Sequence, residues 1–190
     1  LIDHPHDFKR AFALIRKDLR SLYLAAFQSH LWNRMLADWI TMLCGPKRIE
    51  FIQTQRGPLP IPGNVNEETL RRLCESALPL PSARLKPEPG PIADLMEKTL
   101  AAEGLALRAL RVPYPRDSFF SKRSRAAILV AQDLAWEEAP DDLYPRRAKL
   151  SLRFVLPRGS YATILVKRIT HGIRQDATVD ATATDPEGIA

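Results

Sequence analysis

The sequence is poor in cysteine and glycine and lacks any long hydrophobic run. It has 190 residues with 2 Cys and 8 Gly, so a disulfide-rich scaffold and a zinc site built from cysteines are excluded. Apolar runs such as Leu22–Phe27 are far too short to cross a bilayer, so no membrane partner is expected. No apolar run follows a basic start, which argues against a signal peptide. Because the chain begins at Leu1 rather than Met, we expect it to be a piece of a longer protein.

The two cysteines leave two arrangements open. Cys44 and Cys74 could form one disulfide, or both could stay reduced and buried. Two buried thiols are the ordinary arrangement in a reducing compartment, so the sequence predicts a cytoplasmic protein.

The overall composition is that of a folded, basic protein. Hydrophobic residues make up 45% of the chain and charged residues 26%, which predicts a packed core. Lys and Arg number 28 against 22 Asp and Glu, which gives a net charge of +6. This excess is compatible with a nucleic-acid partner without proving one. The 16 prolines argue against a long uninterrupted helical bundle.

The N-terminal quarter of the chain predicts helices. Asp7 or His6 can cap a first helix. Apolar residues then recur at three- and four-residue steps over Leu19–Leu43, in a stripe wide enough to predict a helix buried on most of its circumference. Gly45-Pro46 ends this helix, because Gly allows a left-handed cap and Pro cannot continue a helix.

Polar residues interrupt the long helix in one short region. They are Gln28, Ser29, Asn33 and Arg34. Buried polar groups need partners, so some of these side chains are expected to hold a neighbouring loop. The alternative is that they form the solvent-facing side of the helix, since they cluster within about 100° of one another.

The middle of the chain alternates between extended and helical patterns. From Arg48 onward, apolar and polar residues recur with a period of two, which predicts a strand. The alternating prolines of 58–62 predict an extended, polyproline-like strip. Asn66 begins a helix that runs to about Ser76. The proline-rich stretch 78–91 predicts a stiff surface loop that takes no part in the core.

Further elements follow towards the C-terminus. Ile92–Glu103 predicts a helix, and the apolar run Ala126–Ala131 predicts a buried strand, which Asp133–Trp136 continues. Glu137–Asp142 is expected to be an acidic loop, and the tail 175–190 to be disordered.

The clearest strand signal comes near the end of the chain. Lys149–Leu156 alternates polar and apolar residues, so its apolar face should be buried. Gly159 can adopt a positive φ in the following turn, and Ser160 can cap a helix over Tyr161–Thr170. The helix start and Arg158 could together hold an RNA phosphate; the alternative is a turn that only joins strand to helix.

A short basic cluster is the main candidate for RNA binding. Lys122, Arg123 and Arg125 stand just before the apolar run. Phe119 and Phe120 precede them, and aromatic rings beside arginines suit base stacking and phosphate contact. The alternatives are a solvated loop for the cations and core positions for the rings.

The sequence offers little for metal or nucleophilic chemistry. His4 and His6 match no standard metal-ligand spacing, so no metal is expected. The chain contains no G-x-S-x-G elbow, Walker loop or dinucleotide fingerprint.

Two longer motifs carry a family resemblance. Ser21–Asn33 resembles the long-helix pattern Y-L-S-A-x-Q-S-x-L-F-N of the TruD family of tRNA pseudouridine synthases, with Trp32 in place of Phe. Leu152–Thr163 resembles the closing motif of that family, a strand followed by P-x-G-S-[YF]-A-T and a helix. Between them, Ser124-Arg125 is similar to the family's basic turn, and the motifs occur in the family's order.

The resemblance implies an α+β fold in two parts. Residues 1–143 would form a helix-rich, RNA-binding insertion domain with a small sheet and the proline-rich loop 78–91. Residues 144–174 would supply the strand, turn and helix that complete the mixed sheet of a pseudouridine synthase catalytic domain. The partners implied are tRNA and the missing N-terminal catalytic half of the same protein.

The resemblance also implies a cofactor-free isomerase whose nucleophile lies outside this chain. The family's nucleophilic Asp belongs to a G-x-K-D-[KR]-x-A motif, which the sequence does not contain. Lys17-Asp18 lies in a helical pattern with no glycine turn before it and is rejected as that nucleophile. We therefore expect the chain to be inactive alone and to contribute RNA binding. The alternatives are a stand-alone, non-catalytic RNA-binding or regulatory module and a protein-interaction domain with a basic surface.

Overall fold

The computed structural model describes residues 4–54 and 57–171, which form a mixed α+β fold as predicted. The helices are α1 (Phe8–Leu14), α2 (Lys17–Cys44), α3 (Glu67–Glu75), α4 (Pro91–Ala102) and α5, residues 162–171. The strands are β1 (Ile49–Thr54), β2 (Gly57–Pro62), β3 (Ala77–Pro79), β4 (Ser124–Ala126), β5 (Gln132–Pro140) and β6 (Ala148–Val155). Short 3-10 turns occupy Pro46–Arg48 and Leu107–Leu110. The expected disordered tail, 175–190, lies outside the described residues.

The strands pair two by two, and the described residues divide into two compact units. β1 pairs with β2, β3 with β4, and β5 with β6. The first unit contains the described residues up to Phe51 and those of Pro60–Ile128. The second contains the described residues of Ile52–Leu59 and those from Leu129 onward. No helix in 4–54 or 57–171 is long and apolar enough to cross a membrane.

The predicted helix boundaries are confirmed at both ends of the N-terminal region. Asp7 caps α1 by accepting a hydrogen bond from the Arg10 N–H at 3.1 Å. Gly45 ends α2 with a φ of 77°, and its N–H donates to the Thr41 carbonyl at 2.9 Å. A side chain at this φ would be strained, which explains the glycine.

The core of the first unit forms where α2 crosses α4. Its largest buried side chains come from α2, β3 and α4: Leu31, Met35, Leu78, Met96 and Leu100. A second cluster joins the end of α2 to α3 through Ile40, Cys44 and Leu73. The N-terminal half of α2 leaves Leu22 and Tyr23 exposed, so the prediction of burial around most of the helix is wrong there.

The proline-rich stretch 78–91 is the main error of the sequence-based fold prediction. Leu78, Leu80, Pro81 and Ser82 are all buried, so the start of this stretch is part of the core. Ala77–Pro79 pairs with β4, and alternate leucines therefore enter the core as in any half-buried strand. The longest continuously exposed part of this stretch is 86–89, and Arg84 and Pro91 are exposed as well.

The predicted polyproline strip at 58–62 is also wrong, because this segment pairs as β2. Pro58, Pro60 and Pro62 alternate with Leu59 and Ile61. Successive N–H groups of a strand point to opposite edges, so the missing donors of the prolines all fall on one edge. The other edge keeps its N–H groups for pairing with β1.

Both cysteines are free thiols, and only one is buried as predicted. Cys44 lies in the second cluster, where burial raises the pKa of its thiol. Cys74 is exposed on α3.

β5 and β6 form an antiparallel ribbon in the second unit. The predicted strand over Lys149–Leu156 is confirmed by β6. Glu137–Asp142 was expected to be a loop, but Glu137 pairs with Ser151 and lies within β5. Strand pairing here overrides the polar composition.

The apolar residues beside this ribbon are more exposed than predicted. The run Ala126–Ala131 is not a buried strand, since Leu129 and Val130 are exposed. On β6, Leu152 and Phe154 are half-buried and Leu150 is exposed, so the expected buried face is incomplete in the described chain.

One charged contact joins α2 to the end of α4. Arg34 Nη1 donates to Glu103 Oε1, and His30 Nε2 lies 3.3 Å from the same oxygen. The hydrogen bond with His30, and the neighbouring Arg34, lower the pKa of Glu103 below its ordinary value.

Replacing Glu103 with Gln should therefore reduce stability only where the carboxylate is charged. The pKa of Glu103 is lowered in the folded state. The stabilisation by its carboxylate is therefore complete above pH 4.5, the ordinary pKa, and disappears as the pH falls through the lowered pKa. We expect Glu103→Gln to melt below the wild type at pH 7 and to converge with it once the pH falls below the lowered pKa of Glu103. The exposed Glu88→Gln serves as the control; a difference for Glu103→Gln that persists at low pH would exclude this linkage.

Candidate nucleic-acid interface

The basic segment predicted from the sequence is fixed to the core of the first unit. Its last residues form β4, in which Arg125 pairs with Leu78 of β3. The ladder continues beyond the strands, because the Leu80 N–H donates to the Arg123 carbonyl at 2.8 Å. The buried Leu78 and Leu80 thereby hold the basic segment at a defined position.

Gln28 of α2 holds the residue that directly precedes this segment. Its Nε2 donates to the Pro81 carbonyl at 2.8 Å and to the Ser121 carbonyl at 2.6 Å, and its Oε1 accepts from the Ser121 N–H at 3.3 Å. The prediction that a polar residue of α2 holds a neighbouring loop is confirmed for Gln28, which is buried. Ser82 adds a bond from its Oγ to the Phe120 carbonyl at 3.3 Å.

Lys122 and Arg123 extend into solvent without acidic partners. In the part of the chain that the structure describes, neither side chain lies within salt-bridge distance of a carboxylate. Some other exposed cations of the same unit are neutralised, as Arg71 is by Glu68 and Glu75, whereas others, such as Arg72 and Arg108, also lack a salt bridge among the described residues. The segment therefore presents uncompensated positive charge.

Arg125 differs from its two neighbours because it also supports the fold. Its Nη1 donates to Ser29 Oγ at 3.2 Å, and its guanidinium lies 5.6 Å from the ring centroid of Trp32. Trp32 in turn donates from Nε1 to the Leu78 carbonyl at 3.0 Å. Arg125 still has N–H groups available, but its removal would disturb packing as well as charge.

The structure separates the two adjacent phenylalanines. Phe120 is buried in the core, where its ring centroid lies 6.4 Å from that of Phe27. Phe119 is exposed, and the guanidinium of Arg84 lies 5.1 Å from its ring centroid.

Arg84 is a candidate that the sequence analysis missed. It stands in the proline-rich stretch that was predicted to be a surface loop. The alternation of Leu78 and Leu80 with prolines was the signal that this stretch reaches the core, and the structure then places Arg84 against Phe119, which precedes the basic segment.

The remaining predicted site residues, Arg158 and Ser160, lie in the second unit. Gly159 has the positive φ expected, at 88°. The Ser160 cap is wrong: the helix begins at 162, Ile164 donates to the Tyr161 carbonyl, and Ser160 Oγ is buried without a hydrogen-bond partner among the described residues. The cap energy of about 1 kcal/mol is therefore absent.

Arg158 is exposed and has no salt bridge within residues 4–54 and 57–171. The structure thus groups Lys122, Arg123 and Arg125 on one anchored segment and leaves Arg158 with Ser160 on a separate turn of another unit.

The described residues contain no arrangement typical of a metal centre. Within them, no three His, Cys, Asp or Glu side chains converge. Asp18, rejected above as a nucleophile, pairs with Arg16 at 2.9 Å on the exposed first turn of α2.

Comparison with known proteins identifies the family. The family model described as tRNA pseudouridine synthase D (TruD) matches residues 1–169. The chain belongs to the TruD family. TruD relatives include the tRNA pseudouridine synthase D of Aquifex aeolicus, 28% identical over 162 residues, which cover 85% of this chain and 40% of that protein. A protein of Pyrobaculum neutrophilum assigned the same function is 32% identical over 172 residues, covering 86% of this chain and 36% of that protein.

A solved TruD structure shares the fold. The crystal structure of a protein from Methanosarcina mazei, assigned as TruD, superposes with a TM-score of 0.58 at 24% identity. The match covers 86% of this chain and 40% of that one. The chain therefore spans about two fifths of the length of the TruD proteins that it matches.

Proposed function

We propose that this chain is the RNA-binding part of a longer, cofactor-free enzyme that isomerises a uridine of tRNA to pseudouridine. Membership of the TruD family supports the reaction, and relatives named for that activity support tRNA as the substrate. The observation that carries the RNA-binding role is the anchored segment with the uncompensated cations Lys122 and Arg123. The free thiols of Cys44 and Cys74 favour a cytoplasmic enzyme.

The β5–β6 ribbon of the second unit supports the proposal that a further part of the enzyme packs against it. A two-stranded ribbon is marginal in stability by itself. In β5, Trp136 is 69% exposed, and Val155 of β6 is exposed as well. A further layer of a catalytic domain would cover such side chains. We propose that 144–174 belong to that domain and that 1–143 form the insertion domain, except that β5 goes with β6, since the two strands pair within one unit.

The missing nucleophile motif gives an expectation for activity. The chain has no G-x-K-D-[KR]-x-A segment, so the purified chain should form no pseudouridine in tRNA above a no-protein control. Adding a segment with this motif from the same protein should restore activity.

We further propose that Arg158 contacts an RNA phosphate in the assembled enzyme, since it is an exposed cation without an acidic partner among the described residues.

The basic segment acts by releasing counterions from the RNA. Each phosphate that a Lys or Arg neutralises sets free condensed cations, so affinity falls with added salt. Lys122 and Arg123 are suited to this because no carboxylate in the described residues competes for them.

Removing both cations should weaken tRNA binding and its salt dependence together. For Lys122→Ala with Arg123→Ala we expect an affinity about tenfold lower and a log–log salt slope reduced by about two. The charge-matched control is Arg71→Ala with Lys98→Ala, because Glu68, Glu75 and Asp38 already neutralise these cations. Binding is measured by fluorescence anisotropy over a salt series. Equal losses in the two variants would show only a general effect of net charge.

A further inference from the structure

Phe119 is an exposed aromatic ring held by a rigid backbone. Its side chain is 56% exposed, whereas its neighbour Phe120 is 7% exposed. The residues on both sides are fixed: Ser118 Oγ accepts from Arg20 Nε at 3.2 Å, and the Phe120 carbonyl accepts from Ser82 Oγ at 3.3 Å. Because the backbone on both sides of Phe119 is already fixed, binding a ligand on the exposed ring costs little further conformational entropy.

One exposed aromatic residue is ordinary, but the surroundings of Phe119 are not. The Arg84 guanidinium lies 5.1 Å from its ring centroid, within the range of a cation–π contact. Among the described residues, Arg84 makes no salt bridge, and neither do the neighbouring Lys122 and Arg123. One uncompensated cation therefore lies against the ring, and two more follow a few residues further along the chain.

We propose that Phe119 and Arg84 form a platform on which an unpaired base of the bound RNA stacks, with Lys122 and Arg123 contacting the adjacent phosphates. This proposal rests on the RNA-binding function above. Base stacking on aromatic and guanidinium planes is the usual way in which proteins bind unpaired nucleotides. A duplex hides its base faces, so the platform selects a loop or single-stranded region of the RNA.

The charges favour RNA over a covering protein surface. An apolar partner placed over Phe119 would have to desolvate Arg84 without pairing it, which is costly. RNA supplies a flat base for the ring and phosphate oxygens for the cations together.

The test compares a single-stranded RNA oligonucleotide carrying 2-aminopurine with a blunt RNA duplex of equal length. Phe119→Leu keeps apolar bulk but removes the aromatic face. We expect single-strand affinity to fall about tenfold and the fluorescence change of 2-aminopurine to disappear, with duplex affinity unchanged. The control is Tyr23→Leu, because Tyr23 is also 56% exposed but lies on α2 without a cation–π contact in the described residues.

Each alternative outcome shows which of the two proposals, the platform or the RNA-binding function, fails. If Phe119→Leu binds the single strand normally while the Lys122 and Arg123 variant is weakened, the platform is refuted and the RNA-binding function stands. If Phe119→Leu only lowers the melting temperature and leaves single-strand affinity unchanged, the ring serves the fold alone and the platform is again refuted. If the wild type binds neither RNA, both proposals fail.

Discussion

Arg20→Ala is expected to destabilise the protein by about 3 kcal/mol. Arg20 is buried in the first turn of α2, and its Nη2 donates to both carboxylate oxygens of Asp117, at 3.0 and 3.1 Å. Its Nη1 donates to the carbonyls of Ala13 and Ile15, and its Nε to Ser118 Oγ. Alanine leaves all of these acceptors without their donor, so the α1–α2 junction separates from the 117–118 segment.

The size of this effect is set by the exposure of Asp117. Its side chain is 39% exposed and lies 4.0 Å from Lys17 Nζ, so water and a second cation partly compensate it. This places the loss at the lower end of the range for broken buried pairs. Arg20→Lys should retain less than half of the stability that Arg20→Ala loses, because an ammonium group cannot reproduce the planar fork of donors of a guanidinium. Urea denaturation measures the loss of stability. A value within about 0.5 kcal/mol of wild type, as for a surface substitution, would contradict the stabilising role of Arg20.

Gln28→Ala is expected to cost about 2–3 kcal/mol and also to weaken RNA binding. The side chain satisfies the carbonyls of Pro81 and Ser121 and the Ser121 N–H; the bond to Pro81 is buried and the two to Ser121 are partly buried. Removing it leaves buried polar groups unpaired and opens a cavity. Because Ser121 directly precedes Lys122, the cations also lose their fixed position.

Two variants control for the chemistry of Gln28. Gln28→Glu keeps the shape but points an oxygen at two carbonyl groups, so it should be at least as unstable as alanine. Asn33→Ala removes an exposed amide from the same helix and should stay within about 0.5 kcal/mol of wild type. Thermal melts and tRNA anisotropy are measured together. A Gln28→Glu variant as stable as the wild type would exclude the proposed hydrogen bonds.

The local features of the fold followed directly from the sequence. The cap at Asp7, the end of α2 at Gly45 and the alternation over Lys149–Leu156 all depend on neighbouring residues alone. The same is true of the positive φ at Gly159. These features need no distant contact, and for that reason composition and spacing were sufficient to predict them.

What the sequence determined by itself, then, is the family, the helices and the presence of a basic segment before Ala126. Only the tertiary structure decided which residues are buried and which cations remain free. The proline-rich stretch enters the core because β3 pairs with β4, about 45 residues further along the chain. Ser160 fails as a cap because the backbone of 157–161 starts the helix later. Phe119 and Phe120 have identical side chains and adjacent positions, and only the contacts with Arg84 and Phe27 distinguish an exposed ring from a core ring. Burial depends largely on residues distant in sequence, so the local pattern determined it only in part.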